Sequence, residues 1–252
     1  MARTTLIPDI RRVQLPQARQ AIPHVHAYLR ECILDGTLTP GTKLSQVSLA
    51  EQLGISRTPL REVLRMLQEE GLVEIEPNQR TRVAGLDPAE LDDTYACRIL
   101  LETLAVSMTI NSFGPDGRED AGRLLDTMRR TAGTGDFGAW FAAHADYHRL
   151  ITRGAGDVLQ RQLRAFADRT IRYIRIYQLA DPNSWQAAGD VEHEQILAAL
   201  TAGDERGALN GMAHHLARTA LRVLTDCAPD YVPAAVPRAV ALIDRHPPAG
   251  LR

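Results

Sequence analysis

The sequence predicts a mainly α protein: an N-terminal winged helix-turn-helix with a small β-wing, followed by a C-terminal all-α helical bundle. Three observations carry that reading. Apolar residues recur at helical spacing along most of the chain, and two short β segments flank a turn between residues 72 and 84. Beyond residue 88 the helical pattern is broken only at glycine- and proline-bearing joints.

Residues 1–18 carry Arg3, Arg11 and Arg12 among Pro8 and Pro16 without periodicity, and read as a flexible basic arm. The winged unit follows over 19–84. Ile22, Val25, Leu29 and Ile33 mark one face of a first helix that Gly36 ends, with Pro23 tolerated in its first turn. A short second helix fits Ser45 to Leu53, capped by Ser45 and closed by Gly54. Ser56 caps a third, whose Leu60, Val63, Leu64 and Leu67 face inward until Gly71. Leu72 to Glu76 and Thr81 to Ala84 then form a hairpin around Pro77-Asn78-Gln79-Arg80. Residues 85–90 read as a linker. Residues 91–228 read as a bundle of about six helices, divided near Gly114-Pro115, Gly133 to Gly135, Gly154 to Gly156, Asp181-Pro182 and Gly203. Residues 229–252 read as a Pro/Ala-rich tail outside the packed domain, with room for one short helix.

Composition narrows the function classes. The 252-residue chain has a net charge of −2, so a surface for an acidic partner has to be a local patch. No apolar run approaches the roughly 18 residues of a membrane span, and the first residues lack a signal-peptide core. A cytoplasmic protein with no membrane partner is expected. Cys32, Cys97 and Cys227 form no CxxC pair, which speaks against a zinc ribbon and a disulfide framework. Lys43 is the only lysine. Arginine suits bidentate contacts to guanine and phosphate, and a GC-rich genome would give the same bias.

Helix, short helix, tight turn, longer helix and wing is the order in which the helix after the turn enters a DNA major groove. Arg57, Arg61 and Arg65 lie four apart, a stripe beside the leucines of that helix. Arg57, Thr58 and Arg61 are placed for base edges, Arg65 for phosphate, and the N–H groups near Ser56 for a further phosphate. A merely solvated helix face would show the same stripe.

The stretch Leu49-Ala50-Glu51-Gln52-Leu53-Gly54-Ile55-Ser56-Arg57-Thr58-Pro59-Leu60-Arg61-Glu62, with Leu67-Gln68-Glu69-Glu70-Gly71-Leu72-Val73 after it and Ile33 to Gly41 before it, closely resembles the DNA-binding domain of the GntR family of bacterial regulators. The resemblance makes Arg57, Thr58 and Arg61 the operator contacts, with Arg65 beside them. It implies double-stranded DNA as partner and a homodimer on a palindromic operator. The dimer contact comes from the family alone, with no stripe to show it. Family members usually carry glycine at the wing tip; Arg80 stands here, and an arginine can itself enter a narrow minor groove.

In the helical half, His144 and His148 continue the stripe of Phe137, Phe141 and Ile151, while His193 shares a face with Ile196, Leu197 and Leu200. His214 and His215 are adjacent on the last helix, so only one can face inward. Inward imidazoles from three helices can converge on an ion, or they can be core residues with satisfied hydrogen bonds. This half resembles the FadR-type C-terminal ligand-binding domain of the family, with Arg98-Ile99-Leu100-Leu101-Glu102 like its first-helix signature, and about six helices point to the VanR-like branch. That resemblance implies a metal held by an Asp-x3-His pair and two later histidines. His148, His193 and His215 match, and His144 stands where the aspartate is expected. Asp146, two residues from His148, points elsewhere. A histidine set without a carboxylate suits zinc, nickel or cobalt, with zinc or nickel foremost, better than magnesium, calcium or manganese. It also leaves the ion's charge uncompensated, so a small organic acid is the expected effector, with Arg98, Tyr173 and Arg175, and Arg172 near them, as the side chains that select it.

The function expected is that of a DNA-binding transcription regulator, a repressor, whose operator affinity is set by that acid. One alternative is a metalloenzyme domain fused to a DNA-binding module. Against it, Ala145 follows His144 where zinc-protease spacing needs a general-base glutamate, and no P-loop, nucleophile elbow or dinucleotide fingerprint occurs, so catalysis is not expected. The other is a DNA binder that answers to no ligand.

Overall fold

The computed structural model describes residues 21–76, 80–85, 87–180 and 182–245. The expected arm and the hairpin tip 77–79 lie outside the described residues. Contacts divide the chain into one unit ending at Leu86 and a second beginning at Asp87, with the helical segment Ile171–Ile176 counted in the first.

The first unit runs α1 (Ala21–Leu34), β1 (Lys43–Leu44), α2 (Gln46–Leu53), α3 (Arg57–Glu69), β2 (Val73–Glu76) and β3 (Arg80–Val83). The expected stripes meet in one core. Val25, Leu29 and Ile33 of α1, Leu49 and Leu53 of α2, and Leu60, Val63, Leu64 and Leu67 of α3 are all closed to solvent. Ser45 caps α2 by accepting the Ser48 N–H, and Gly54 at φ 69° ends it, a left-handed conformation that glycine takes without steric penalty.

The sheet has order β1-β3-β2, antiparallel throughout. Its β1 corrects the two-stranded expectation: two residues are too few to show a period, and this strand is held by pairing with β3. Arg80 was expected in the turn, but it opens β3 with its backbone opposite Glu76. It therefore stands at the base of the tip, and its side chain lies outside the described residues.

The second unit is helical: α4 (Pro88–Ile110), α5 (Pro115–Thr134), α6 (Phe137–Ile151), α7 (Asp157–Ala180), α8 (Pro182–Ala202), α9 (Glu205–Cys227) and α10 (Ala235–Arg245). The first six are separated at the five predicted joints. The expected linker 85–90 is partly helix, because Asp87 caps α4 by accepting the Ala89 and Glu90 N–H groups. α4 packs along α9, α8 packs on α9, and α5 packs on α6 and α8. Tyr95, Ile99, Val106, Tyr147, Ile151, Ile196 and Met212 fill the space between them. At the end of α6, the Gly154 amide donates to Thr109 Oγ1 at 2.9 Å, and a Cβ there would sit 2.5 Å from the Met108 carbonyl oxygen. No described helix is long and apolar enough to cross a membrane.

α10 corrects the expected tail. It packs on α4 and α9 with Val236 and Ala239 buried. Asp92 of α4, only 1% exposed, accepts the N–H groups of Ala234, Ala235 and Val236 at 2.8, 2.9 and 2.9 Å and the Tyr231 hydroxyl at 3.2 Å. A helix start leaves backbone donors without partners, and here a buried carboxylate from another helix supplies the acceptor. Pro237 falls in the first turn, where its missing N–H breaks no helical bond.

Candidate functional site

On α3 the leucine face is buried and the opposite face is charged. Ser56, Arg57, Thr58, Arg61 and Arg65 are all exposed. Ser56 occupies the N-cap position in extended backbone, yet its hydroxyl makes no capping bond, so the first N–H groups of α3 have no side-chain acceptor there. Among the described residues no ion pair involves Arg57 or Arg61. Arg65 differs, being tied to Glu62 at 2.8 Å and to Glu69. On the wing strands Arg82 is held by Glu74 at 2.7 Å and Glu76 at 3.0 Å.

The four expected histidines converge inside the second unit. His144 and His148 lie one turn apart on α6, His193 comes from α8 and His215 from α9, and one ring nitrogen from each lies within 4.8 Å of the others. His214 points outward, 3.3 Å from Asp244. Asp146 pairs with Arg149 on the surface and is no part of the group. Both ring nitrogens of His193 and Nε2 of His148 are buried without a hydrogen-bond partner. Such orphaned nitrogens are rare in a folded protein, and an imidazole nitrogen with a free lone pair is a good metal ligand, so the residues fit a metal.

Two carboxylates stand behind the ring. His148 Nδ1 lies 3.0 Å from Glu102, which also accepts from Arg98 Nε at 2.8 Å, while Arg98 Nη1 donates to Thr170 at 2.8 Å. His215 Nδ1 lies 2.8 Å from Glu192, which Arg218 grips with Nε and Nη2. A carboxylate acceptor puts the proton on Nδ1 and turns Nε2 inward as the free lone pair. Burial drives the His144 and His193 imidazoles well below their ordinary value, and it takes His215 down to about 4 against the opposing bond from Glu192. Burial would raise Glu102, but the Arg98 charge and the His148 bond outweigh it and hold the carboxyl at about 2. At neutral pH these three imidazoles are therefore neutral and Glu102 is ionised.

Glu102 and Glu192 escape a reading of the sequence because their partners lie 46 and 23 residues away. The Arg98-to-Glu102 signature was the available signal, and it marks an ion pair buried behind His148. The expectation of a site without carboxylates is corrected in part: two are present as supports of the rings, and each is already matched by an arginine. Arg98, 4% exposed, spends its hydrogen bonds on Glu102 and Thr170 behind the rings. The side chains of Arg172, Tyr173 and Arg175 lie outside the described residues. Beside the group, Trp140 stacks on His144 with centroids 4.9 Å apart, and its indole N–H is buried without an acceptor.

Residues 22–83 match the family described as bacterial regulatory proteins, gntR family, and residues 93–218 match the FCD domain, half of the chain. The chain belongs to the GntR family. It is a DNA-binding transcription regulator with an FCD domain, and not an enzyme. It is 31% identical over 185 residues to the "Probable D-xylose utilization operon transcriptional repressor" of Paenarthrobacter nicotinovorans, covering 73% of this chain and 80% of the relative. It is 29% identical over 199 residues to the HTH-type transcriptional repressor GlaR of Escherichia coli, covering 76% and 90%. The fold is that of E. coli McbR/YncC, with a TM-score of 0.69 at 23% identity over 82% of this chain and 98% of that one.

Proposed function

We propose that this regulator represses transcription in the cytoplasm as a homodimer on a palindromic operator, and that a small organic acid, bound at a metal held by His144, His148, His193 and His215, sets its operator affinity. The convergence of four histidines, with His148 Nε2 and both ring nitrogens of His193 buried and without a hydrogen-bond partner, carries the reading. An all-nitrogen set favours zinc or nickel, which when bound supplies a Lewis-acid seat for a carboxylate oxygen. Because Arg98 and Arg218 already match Glu102 and Glu192, the ion's charge is left for an anion to balance. Tyr173 and Arg175 are the residues proposed to select the rest of the acid, with Arg98 bearing on it indirectly by holding Glu102 behind His148. An acid that binds one arrangement of the regulator better shifts the population toward it, and DNA affinity changes by the same coupling free energy. Relatives named as repressors support the sign of regulation.

The dimer reading gains support that the sequence did not offer. Leu100, Leu104 and Met108 are 39, 50 and 47% exposed and form an apolar stripe along α4, beside exposed Cys97. A contiguous apolar face of this kind suits a self-complementary two-fold contact. A Leu104→Arg variant is expected to shift the protein from dimer to monomer in sedimentation at micromolar concentration and to weaken binding to a palindrome while leaving a single half-site unaffected. An unchanged sedimentation profile would place the interface elsewhere.

Thermal melting against a panel of small carboxylic acids, before and after chelation, tests the sensor. One acid should raise stability by about 2.7 kcal/mol at a hundred times its Kd, and chelation should remove that gain. Midpoints unmoved by acids and chelator alike would make the histidines plain core residues.

A further inference from the structure

The four histidines are not held equally. Nδ1 bonds to carboxylates fix His148 and His215, and those carboxylates are pinned in turn by Arg98 and Arg218. The ring nitrogens of His193 have no hydrogen bond, but the residue is 1% exposed and its own carbonyl accepts the Tyr147 hydroxyl at 2.7 Å, so full burial and a fastened turn of α8 hold it in place. His144, partly exposed like His148, makes only ring contacts among the described residues: stacking on Trp140 at 18°, and packing against His148 at 4.5 Å, His193 at 5.2 Å and His215 at 6.3 Å. A stack is undirected within its plane, so this ring can slide along the indole, whereas His148 and His215 cannot turn without breaking a charge-assisted bond.

Resting on the metal reading above, we infer that His144 is the exchangeable ligand of the four. It completes the coordination when no effector is present and cedes its place to an incoming carboxylate. His148, His193 and His215 keep the ion throughout. The buried Trp140 indole N–H, which has no acceptor, belongs to the ring that stacks on His144, and it is a donor for a carboxylate oxygen arriving there. The aspartate that the resemblance expects at this position would be a permanent anionic ligand. A neutral histidine in its place makes the position one that an acid from solution can win.

Cobalt(II), added to the full chain, is the probe. Calorimetric titration is expected to show His144→Ala binding cobalt within about tenfold of the unmodified protein, a smaller loss than the 10–100-fold typical of removing one supporting partner behind a ligand. His148→Ala and His215→Ala are expected to lose more than roughly a hundredfold, since each removes both the ligand and its buttressed geometry. The visible cobalt spectrum should differ between His144→Ala and the unmodified protein in buffer, and should become the same in both once oxalate is added. His144→Asn repeats the comparison should the alanine variant fail to give a native circular dichroism spectrum. Cobalt loss by His144→Ala as severe as that of His148→Ala would overturn the inference, as would a cobalt spectrum indifferent to the substitution. Unmodified protein that takes up no cobalt, zinc or nickel would instead overturn the metal reading itself, a result visible before any variant is made.

Discussion

An Arg57→Ala/Arg61→Ala variant is expected to lose about 2–6 kcal/mol of operator affinity, roughly thirtyfold or more, because each bidentate arginine–guanine contact is worth about 1–3 kcal/mol of discrimination. Both side chains are exposed, and neither joins an ion pair among the described residues, so their removal leaves the core of α1, α2 and α3 intact. Arg65→Ala should behave differently. Its guanidinium is shared between Glu62 and Glu69 in exposed pairs that solvent screens strongly, and it has to loosen them to reach a phosphate. The loss should be small, equal for operator and shuffled DNA, and accompanied by a salt slope lower by about 1. Fluorescence anisotropy on both duplexes across a salt series separates the two cases. Operator binding that survives the double substitution would remove α3 from the role of reading helix.

What could be read beforehand divides along physical lines. Elements whose order is set by neighbours in sequence were legible: the leucines of α3 repeat with the helical period, and Gly54 and Gly71 sit at positive φ where the pattern stops. The four histidines were legible partly for the same reason, since spacing puts His144 above His148 and lets only one of His214 and His215 face inward, while the family resemblance singled out His215. Features set by distant pairing were not. β1 is a strand only because β3 lies beside it. Glu102 and Glu192 sit in stretches that read as ordinary charged helix, and only the fold reveals that they support His148 and His215. The α4 stripe was hidden because Arg98, Glu102 and Thr103 are buried on a helix whose Leu100, Leu104 and Met108 face out, the reverse of the usual patterning. That inversion places the supports of the histidine centre and the apolar stripe on opposite sides of one helix. Anything that shifts α4 at the centre therefore also shifts the face proposed to meet the second subunit.

Asp92 tests how firmly that helix is held. Replacing it by alanine strips the acceptor from three backbone N–H groups at the start of α10 and from the Tyr231 hydroxyl, in a place that is 1% exposed. Unsatisfied buried donors cost about 1–3 kcal/mol each before water enters, so a net loss of about 2–4 kcal/mol is expected. At about 2–4 °C per kcal/mol for a domain of this size, the melting midpoint should fall by about 4–16 °C. Asp92→Asn keeps a carbonyl acceptor and should lose about half as much. Burial pushes the Asp92 carboxyl up, but the N–H groups of Ala235, Val236 and Ala234 and the Tyr231 hydroxyl outweigh it and hold it below the ordinary 3.8. A depressed folded value means that the carboxylate's contribution is complete above pH 3.8 and fades only as the pH drops through that lower value. The difference in midpoint between the native chain and Asp92→Asn should accordingly be constant from neutrality down to about pH 4 and shrink below it. Because α4 starts at this clamp and carries Arg98 and Glu102 onward to His148, Asp92→Ala should also blunt the stabilisation that an effector confers. Asp92→Ala melting with the native chain would show that α10 adds nothing to α4 and that the centre is braced by α9 alone.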